Sequence, residues 1–183
     1  MPSTAPSLKA YALWLTPSPA ERPALDSLIH SLSTHEPLSS PFPAHITLLH
    51  PLSLEIPLPA LIARLEQTVA STPPLKLELQ PAQSGDKYYQ CVLSAVKPHN
   101  GLASLRTACE QEFGIHDLPP YFPHLSLLYG DLSSERRDEI AAMVKKEYDL
   151  PTRVAVQEVQ IARCVGTAAE WEVVASVPLK KEG

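Results

Sequence analysis

The chain has 183 residues, enough for one compact domain or two closely joined lobes. Its formal charge of −5, with 15 Lys and Arg residues scattered along it, argues against duplex or long-strand nucleic acid, which draws on many phosphate contacts. A small anionic ligand needs only a few well-placed donors and stays within reach.

No apolar run approaches the roughly 20 residues of a membrane span. The start, Met1 to Ser7, lacks the basic n-region and apolar core of a secretory signal. A cytoplasmic or nuclear location is therefore expected, with no membrane partner. Cys91, Cys109 and Cys164 are far apart, lack metal-ligand spacing and are odd in number, which predicts buried free thiols. No metal and no cofactor is expected.

In chain order, residues 1–8 are polar and Pro-rich and predict a frayed end. Ala10 to Leu15 (AYALWL) predicts a buried strand. Ser18-Pro19-Ala20-Glu21 has the form of a capping box with Pro19 at the first helical position, ahead of Leu25, Leu28, Ile29 and Leu32 at helical spacing. A Pro-rich loop, Glu36 to Pro43, leads into a short strand, His45 to His50. Pro59 to Ala70 predicts a second helix with Leu61, Ile62, Leu65 and Val69 on one face. Leu75 to Leu79 alternates apolar and polar residues as a half-buried strand does. Gly85-Asp86 marks a turn, with Tyr88 to Val96 returning as its partner. A third helix is predicted over Leu102 to Phe113, then a loop, Pro119 to Pro123, and a strand, His124 to Tyr129. A fourth helix over Ser134 to Tyr148 precedes closing strands at Thr152 to Cys164 and Trp171 to Val177. Neighbouring strand pairs in this order predict an α+β fold built on antiparallel sheet.

Two segments repeat: Phe42-Pro43-Ala44-His45-Ile46-Thr47-Leu48-Leu49-His50 and Phe122-Pro123-His124-Leu125-Ser126-Leu127-Leu128-Tyr129. In a chain with 7 histidines, a His-x-Ser/Thr match arises readily by chance, so the shared context carries the weight. Alternation along a strand turns His45 and Thr47 one way, and His124 and Ser126 likewise. Ile46, Leu48, Leu125 and Leu127 then face a core. Two such segments about a pseudo-twofold axis would converge on one cleft. The residue types suit phosphodiester hydrolysis without metal. Each imidazole gives or takes a proton near neutral pH, and the hydroxyls of Thr47 and Ser126 can donate to phosphate oxygens. His50 stands where the second repeat has Tyr129; it could line the cleft, but a structural role at the strand end is the favoured reading of it. His30, His35, His99 and His116 read as surface residues, and Glu135 to Glu139 as a solvated helix face.

The paired elements resemble the 2H phosphoesterase superfamily. The ALW strand, PAHITLL, YYQCV, PHLSLLYG and the final strand near Trp171 resemble the fungal and plant cyclic phosphodiesterases in particular. The resemblance implies a single bilobal domain over residues 1–183, two pseudo-symmetric lobes of antiparallel sheet with outer helices about a central cleft. It implies hydrolysis of nucleoside 2′,3′-cyclic phosphates to 2′-phosphates. It also implies conversion of ADP-ribose 1″,2″-cyclic phosphate, a by-product of tRNA splicing, to ADP-ribose 1″-phosphate. By the same resemblance His124 is the water-activating base and His45 the acid, and Trp14, Tyr89 and Tyr129 line the cleft. The implied partner is a small cyclic-phosphate nucleotide; the charge balance argues against long nucleic acid, and the lack of a coiled coil or an obvious exposed apolar helix favours a monomer. Two rivals stand beside this reading: a 2H enzyme for a linear 2′,5′ or terminal RNA phosphodiester, and a non-catalytic module that holds a nucleotide or RNA end.

Overall fold

The computed structural model describes residues 5–36, 39–116 and 118–180. The strands are β1 Leu8–Pro17, β2 Ile46–Leu52, β3 Leu75–Glu78, β4 Gln83–Ser84, β5 Val92–Ala95, β6 His124–Leu128, β7 Arg153–Gly166 and β8 Glu172–Pro178. The helices are α1 Arg22–His35, α2 Leu58–Val69, α3 Asn100–Phe113 and α4 Ser134–Glu147. All strands join one antiparallel sheet in the order β3-β7-β1-β2-β6-β5-β4, with β8 also paired to β7. The fold is α+β.

The sheet has two lobes, and the join is narrow. β1, β2, β3, β7 and β8 form one; β4, β5 and β6 form the other. They meet through β2 and β6 at a single registered pair, Ile46 opposite Leu125. One face of the sheet carries the main core, with Leu13, Leu15, Ile46, Leu48, Leu125 and Leu127 all fully buried. α1 packs on β6, α4 on β4 and β5, and α2 on α3 and β8. The opposite face carries a small cluster of Ala12, Trp14, Ala162 and Cys164, with Leu8 and Trp171 against it. Period-two alternation along β1 separates these populations: Leu13 and Leu15 go to the core, Ala12 and Trp14 to the other face.

Three local expectations are corrected. The segment Tyr88 to Val96 does not return on Leu75 to Leu79. β3 pairs with β7, while β5 pairs with β4 and β6, and only Leu79 and Val96 meet as an isolated bridge. Pro81 has no N–H to extend the ladder between Leu79 and β4. Tyr88–Gln90 is a 3-10 turn rather than strand. Glu78, at the end of β3, pairs with Arg153 of β7 and with Lys97.

The first helix begins at Arg22, with Pro23 in its first turn, not at Pro19. The Glu21 carboxylate accepts from the Ser18 N–H at 3.1 Å, as a capping box requires. It also accepts from the Ser18 hydroxyl at 2.6 Å and from the Ala155 N–H at 3.0 Å. The hydroxyl is thereby drawn to the carboxylate instead of capping the helix, and Ser18 to Glu21 form a turn pinned to β7. At the N-terminus, residues 1–4 of the expected frayed end lie outside the described residues. Within its remainder, Leu8 pairs with Gly166, and the Pro6 carbonyl accepts from the Tyr89 hydroxyl at 2.8 Å. Residues 37 and 38 of the expected Glu36 to Pro43 loop also lie outside the described residues.

Gly85 holds the turn that presents Tyr88–Gln90. Its N–H donates to the Cys91 carbonyl at 3.0 Å, and a Cβ there would sit 1.9 Å from the Gln90 carbonyl oxygen. That neighbour is backbone and cannot swing aside. Gly85→Ala is expected to destabilise the fold by about 1–3 kcal/mol, the range of overpacked sites. A thermal melt within error of the unsubstituted protein would contradict this.

Candidate active site

The Ile46–Leu125 pair sets the site geometry. Both side chains point into the core, so the residues on either side of each point to the opposite face. One step along the antiparallel register, His45 lies across from Ser126 and Thr47 across from His124. Each histidine is thus set towards the hydroxyl residue of the other lobe. The half-sites interlock across the join, an arrangement that sequence spacing alone does not reveal.

These four residues line one cavity of about 260 Å³ together with Trp14, Tyr89 and Tyr129. Every residue singled out as a site candidate therefore reaches the same cavity. His50 lines it too, the place that the alternative reading gave it. Leu8, Ala12, Gln90, Cys164 and Trp171 complete the wall; sequence reasoning does not mark them as site residues. Ala10 aligns with Cys164 in the β1–β7 ladder, so Cys164 could be found only once that register was known.

The two imidazoles are held in the same way. His45 Nδ1 lies 2.7 Å from the Pro43 carbonyl oxygen and His124 Nδ1 lies 2.8 Å from that of Phe122, two residues back in each case. A carbonyl only accepts, so each Nδ1 carries the hydrogen and each Nε2 is the nitrogen left for proton exchange. Aromatic rings fix the imidazole planes. His45 stacks on Trp14 with centroids 3.8 Å apart, and His124 on Phe122 at 5.3 Å. The repeated Phe-Pro loops thus supply the locking carbonyls and a ring each, Phe42 edge-on to His45 and Phe122 stacked on His124.

The two halves differ electrostatically. His45 is buried, and burial lowers its pKa from 6.5 to about 4. The Pro43 carbonyl works against that shift and the charge of His124 adds to it. His124 is half-buried; burial again lowers its pKa, opposed by the Phe122 carbonyl and assisted by Lys87. The hydroxyls differ as well. Ser126 Oγ donates to the Tyr89 carbonyl at 2.9 Å, whereas Thr47 Oγ has no protein partner among the described residues.

Outer groups brace the site. Tyr129 stacks on Phe42 with centroids 3.6 Å apart, tying the end of one lobe to the loop before β2 of the other. Ile46 is the one β2 residue in register with β6. The Tyr121 hydroxyl donates to the Thr47 carbonyl at 2.9 Å, and Arg106 Nη1 donates to the Leu48 carbonyl. Both satisfy buried acceptors that the diverging lobes leave open.

Cys91, Cys109 and Cys164 are free and buried. Burial pushes the Cys164 thiol up to about 12, so it stays protonated at the cavity wall. Among the described residues, no group of three or more His, Cys, Asp or Glu side chains is placed to hold a metal ion. No helix among them is long and apolar enough to cross a membrane. His30, His35 and His116 are exposed, but His99 caps α3, its Nδ1 accepting from the Leu102 N–H at 3.1 Å.

An α+β sheet that closes two His-x-Thr/Ser strands about one cavity defines the 2H phosphoesterase class. The chain belongs to the cyclic phosphodiesterase-like protein family, whose model matches residues 9–179. That membership makes it a phosphoesterase, and so a hydrolase. Among solved structures, TT0787 of Thermus thermophilus is similar at a TM-score of 0.59 and 15% identity, over 94% of this chain and 99% of that one. E. coli LigT in apo form is similar at 0.57 and 17% identity, over 94% of this chain and 98% of that one. LigT complexed with 3′-AMP gives 0.57 and 17%, over 94% and 95%. At such identities the likeness concerns the fold. No curated protein sequence matches the chain.

Proposed function

We propose that the protein is a metal-independent cyclic phosphodiesterase that hydrolyses nucleoside 2′,3′-cyclic phosphates to nucleoside 2′-phosphates. ADP-ribose 1″,2″-cyclic phosphate, opened to ADP-ribose 1″-phosphate, is the second proposed substrate, which would give the enzyme a place in the metabolism of tRNA-splicing by-products. It acts as a cytoplasmic or nuclear monomer. The observation that carries the reading is the matched pair of imidazoles, each with Nδ1 tied to a carbonyl and Nε2 left for proton exchange at one cavity. The nucleotide held by LigT supports a ligand of nucleotide size.

In this mechanism one Nε2 removes a proton from the attacking water and the other delivers one to the departing ribose oxygen. The P–O bond to the leaving oxygen breaks as the water oxygen bonds to phosphorus. The family resemblance makes His124 the base and His45 the acid. With a pKa of about 4, His45 is neutral before substrate arrives. An anionic cyclic phosphate beside it favours its protonated form, so the acid is charged by the substrate it serves. Thr47 Oγ is the readier donor to a non-bridging oxygen, because Ser126 must first release the Tyr89 carbonyl. Trp14, Tyr89 and Tyr129 offer ring faces to base or ribose.

A substrate panel run in excess EDTA tests the reading. Turnover is expected for nucleoside 2′,3′-cyclic phosphates and for the ADP-ribose cyclic phosphate, and not for linear 2′,5′-linked RNA. Chelator-sensitive turnover restored by a divalent ion, or activity confined to linear RNA, would overturn it.

A further inference from the structure

Beside the catalytic cavity lies a second one of about 360 Å³, and His50 and Gln90 line both. Lys87, Arg106, Tyr121 and Phe122 form most of its remaining wall, and no carboxylate among the described residues lines it. In a chain of net charge −5, two cationic side chains facing one concavity are a local reversal of sign. His50 adds no charge near neutral pH, because burial lowers its pKa.

The two cations differ in kind. Lys87 is exposed and has no hydrogen bond or ion pair among the described residues. Arg106 is buried and fixed on several sides. Its Nε donates to Glu110 at 2.6 Å, its Nη1 to the Leu48 carbonyl, and its guanidinium lies over the Tyr121 ring at 4.7 Å. Its Nη2 has no protein partner among the described residues. Glu110 balances its charge, so Lys87 supplies the net positive charge and Arg106 a preorganised N–H donor. The subsite is tied to the catalytic strand, since Tyr121 also holds the Thr47 carbonyl. Lys87 is close enough for its charge to be felt at His124. Phe122 stacks on His124 from the same loop and keeps 46% of its surface exposed.

We propose that this adjoining cavity is a second anion subsite, which takes a phosphate on the 5′ side of the nucleoside whose cyclic phosphate lies between His45 and His124. Lys87 and Arg106 Nη2 are its donors. The substrate class thereby narrows to nucleotides with a 5′-phosphate or 5′-pyrophosphate group, in preference to plain nucleoside cyclic phosphates. This rests on the cyclic phosphodiesterase reading above.

Calorimetric titration with adenosine 2′-monophosphate and adenosine 2′,5′-bisphosphate tests the subsite without turnover. The bisphosphate is expected to bind at least about tenfold more tightly, as one charge-assisted contact provides. In Lys87→Glu that advantage is expected to fall to near unity, with the monophosphate still bound; Lys87 is exposed, so the variant tests charge rather than folding. Equal affinities in the unsubstituted protein, or an advantage untouched by Lys87→Glu, would overturn the subsite even if 2′,3′-cyclic AMP is hydrolysed normally. Preferential bisphosphate binding without hydrolysis of any cyclic phosphate would leave the subsite standing and overturn the catalytic reading instead.

Discussion

His45→Ala and His124→Ala are each expected to lower kcat for 2′,3′-cyclic AMP by about two to four powers of ten, the usual worth of a proton-transfer group. The two losses should be of similar size, because Nδ1 is locked by a backbone carbonyl in both halves and Nε2 is left for proton exchange in both. The double variant should lose little beyond the larger single loss, since one proton transfer without the other leaves the reaction half-assisted. KM should move less than kcat, because the Trp14 ring, the Tyr129–Phe42 pair and the Thr47 hydroxyl remain. Circular dichroism and a melting curve establish that each variant is folded. Near-normal turnover in either folded variant would remove that histidine from the mechanism.

The second large effect is on stability. His45 is 4% exposed, and burial holds its pKa near 4 against 6.5 for an ordinary histidine. The unfolded chain therefore binds the proton first as the pH falls. Stability is full above pH 6.5, declines between 6.5 and about 4, and levels off below that. The total loss from this one group is on the order of 3 kcal/mol. His50 and His124 are lowered by burial too and act in the same direction. Glu78, Glu135, Glu158 and Glu170 have pKa values below the carboxylate value of 4.5, so their contribution is lost further down the pH scale. The interval from pH 6.5 to 5 therefore isolates the histidines. Urea midpoints should fall across it in the unsubstituted protein, and by clearly less in His45→Gln. An equal fall in both would show that His45 is not the neutral buried group described here.

The elements readable in the sequence are those with a period. Leu25, Leu28, Ile29 and Leu32 announce α1, and alternation places Ile46, Leu48, Leu125 and Leu127 in the core, where all four are fully buried. The repeat announces the four polar candidates that line one cavity, because one strand face and one loop type serve both lobes. What stays hidden depends on contacts distant in sequence. β3 is a good strand by alternation, but its partner is β7, far along the chain, and local pattern favours the nearer Tyr88 to Val96. The start of α1 departs from the capping signature because Glu21 reaches Ala155, a contact no capping rule contains. The crossing of His45 to Ser126 and of Thr47 to His124 follows from one registered pair, Ile46 with Leu125, which no spacing encodes. The repeat gives His50 only a position opposite Tyr129; its place in two cavities depends on contacts distant in sequence.

Product analysis of 2′,3′-cyclic AMP in excess EDTA tests the central claim most directly. The two-histidine cyclic phosphodiesterase predicts chelator-resistant conversion to adenosine 2′-monophosphate, resolved from the 3′ isomer by chromatography. Accumulation of the 3′-monophosphate, or no conversion at all by the folded protein, would contradict it.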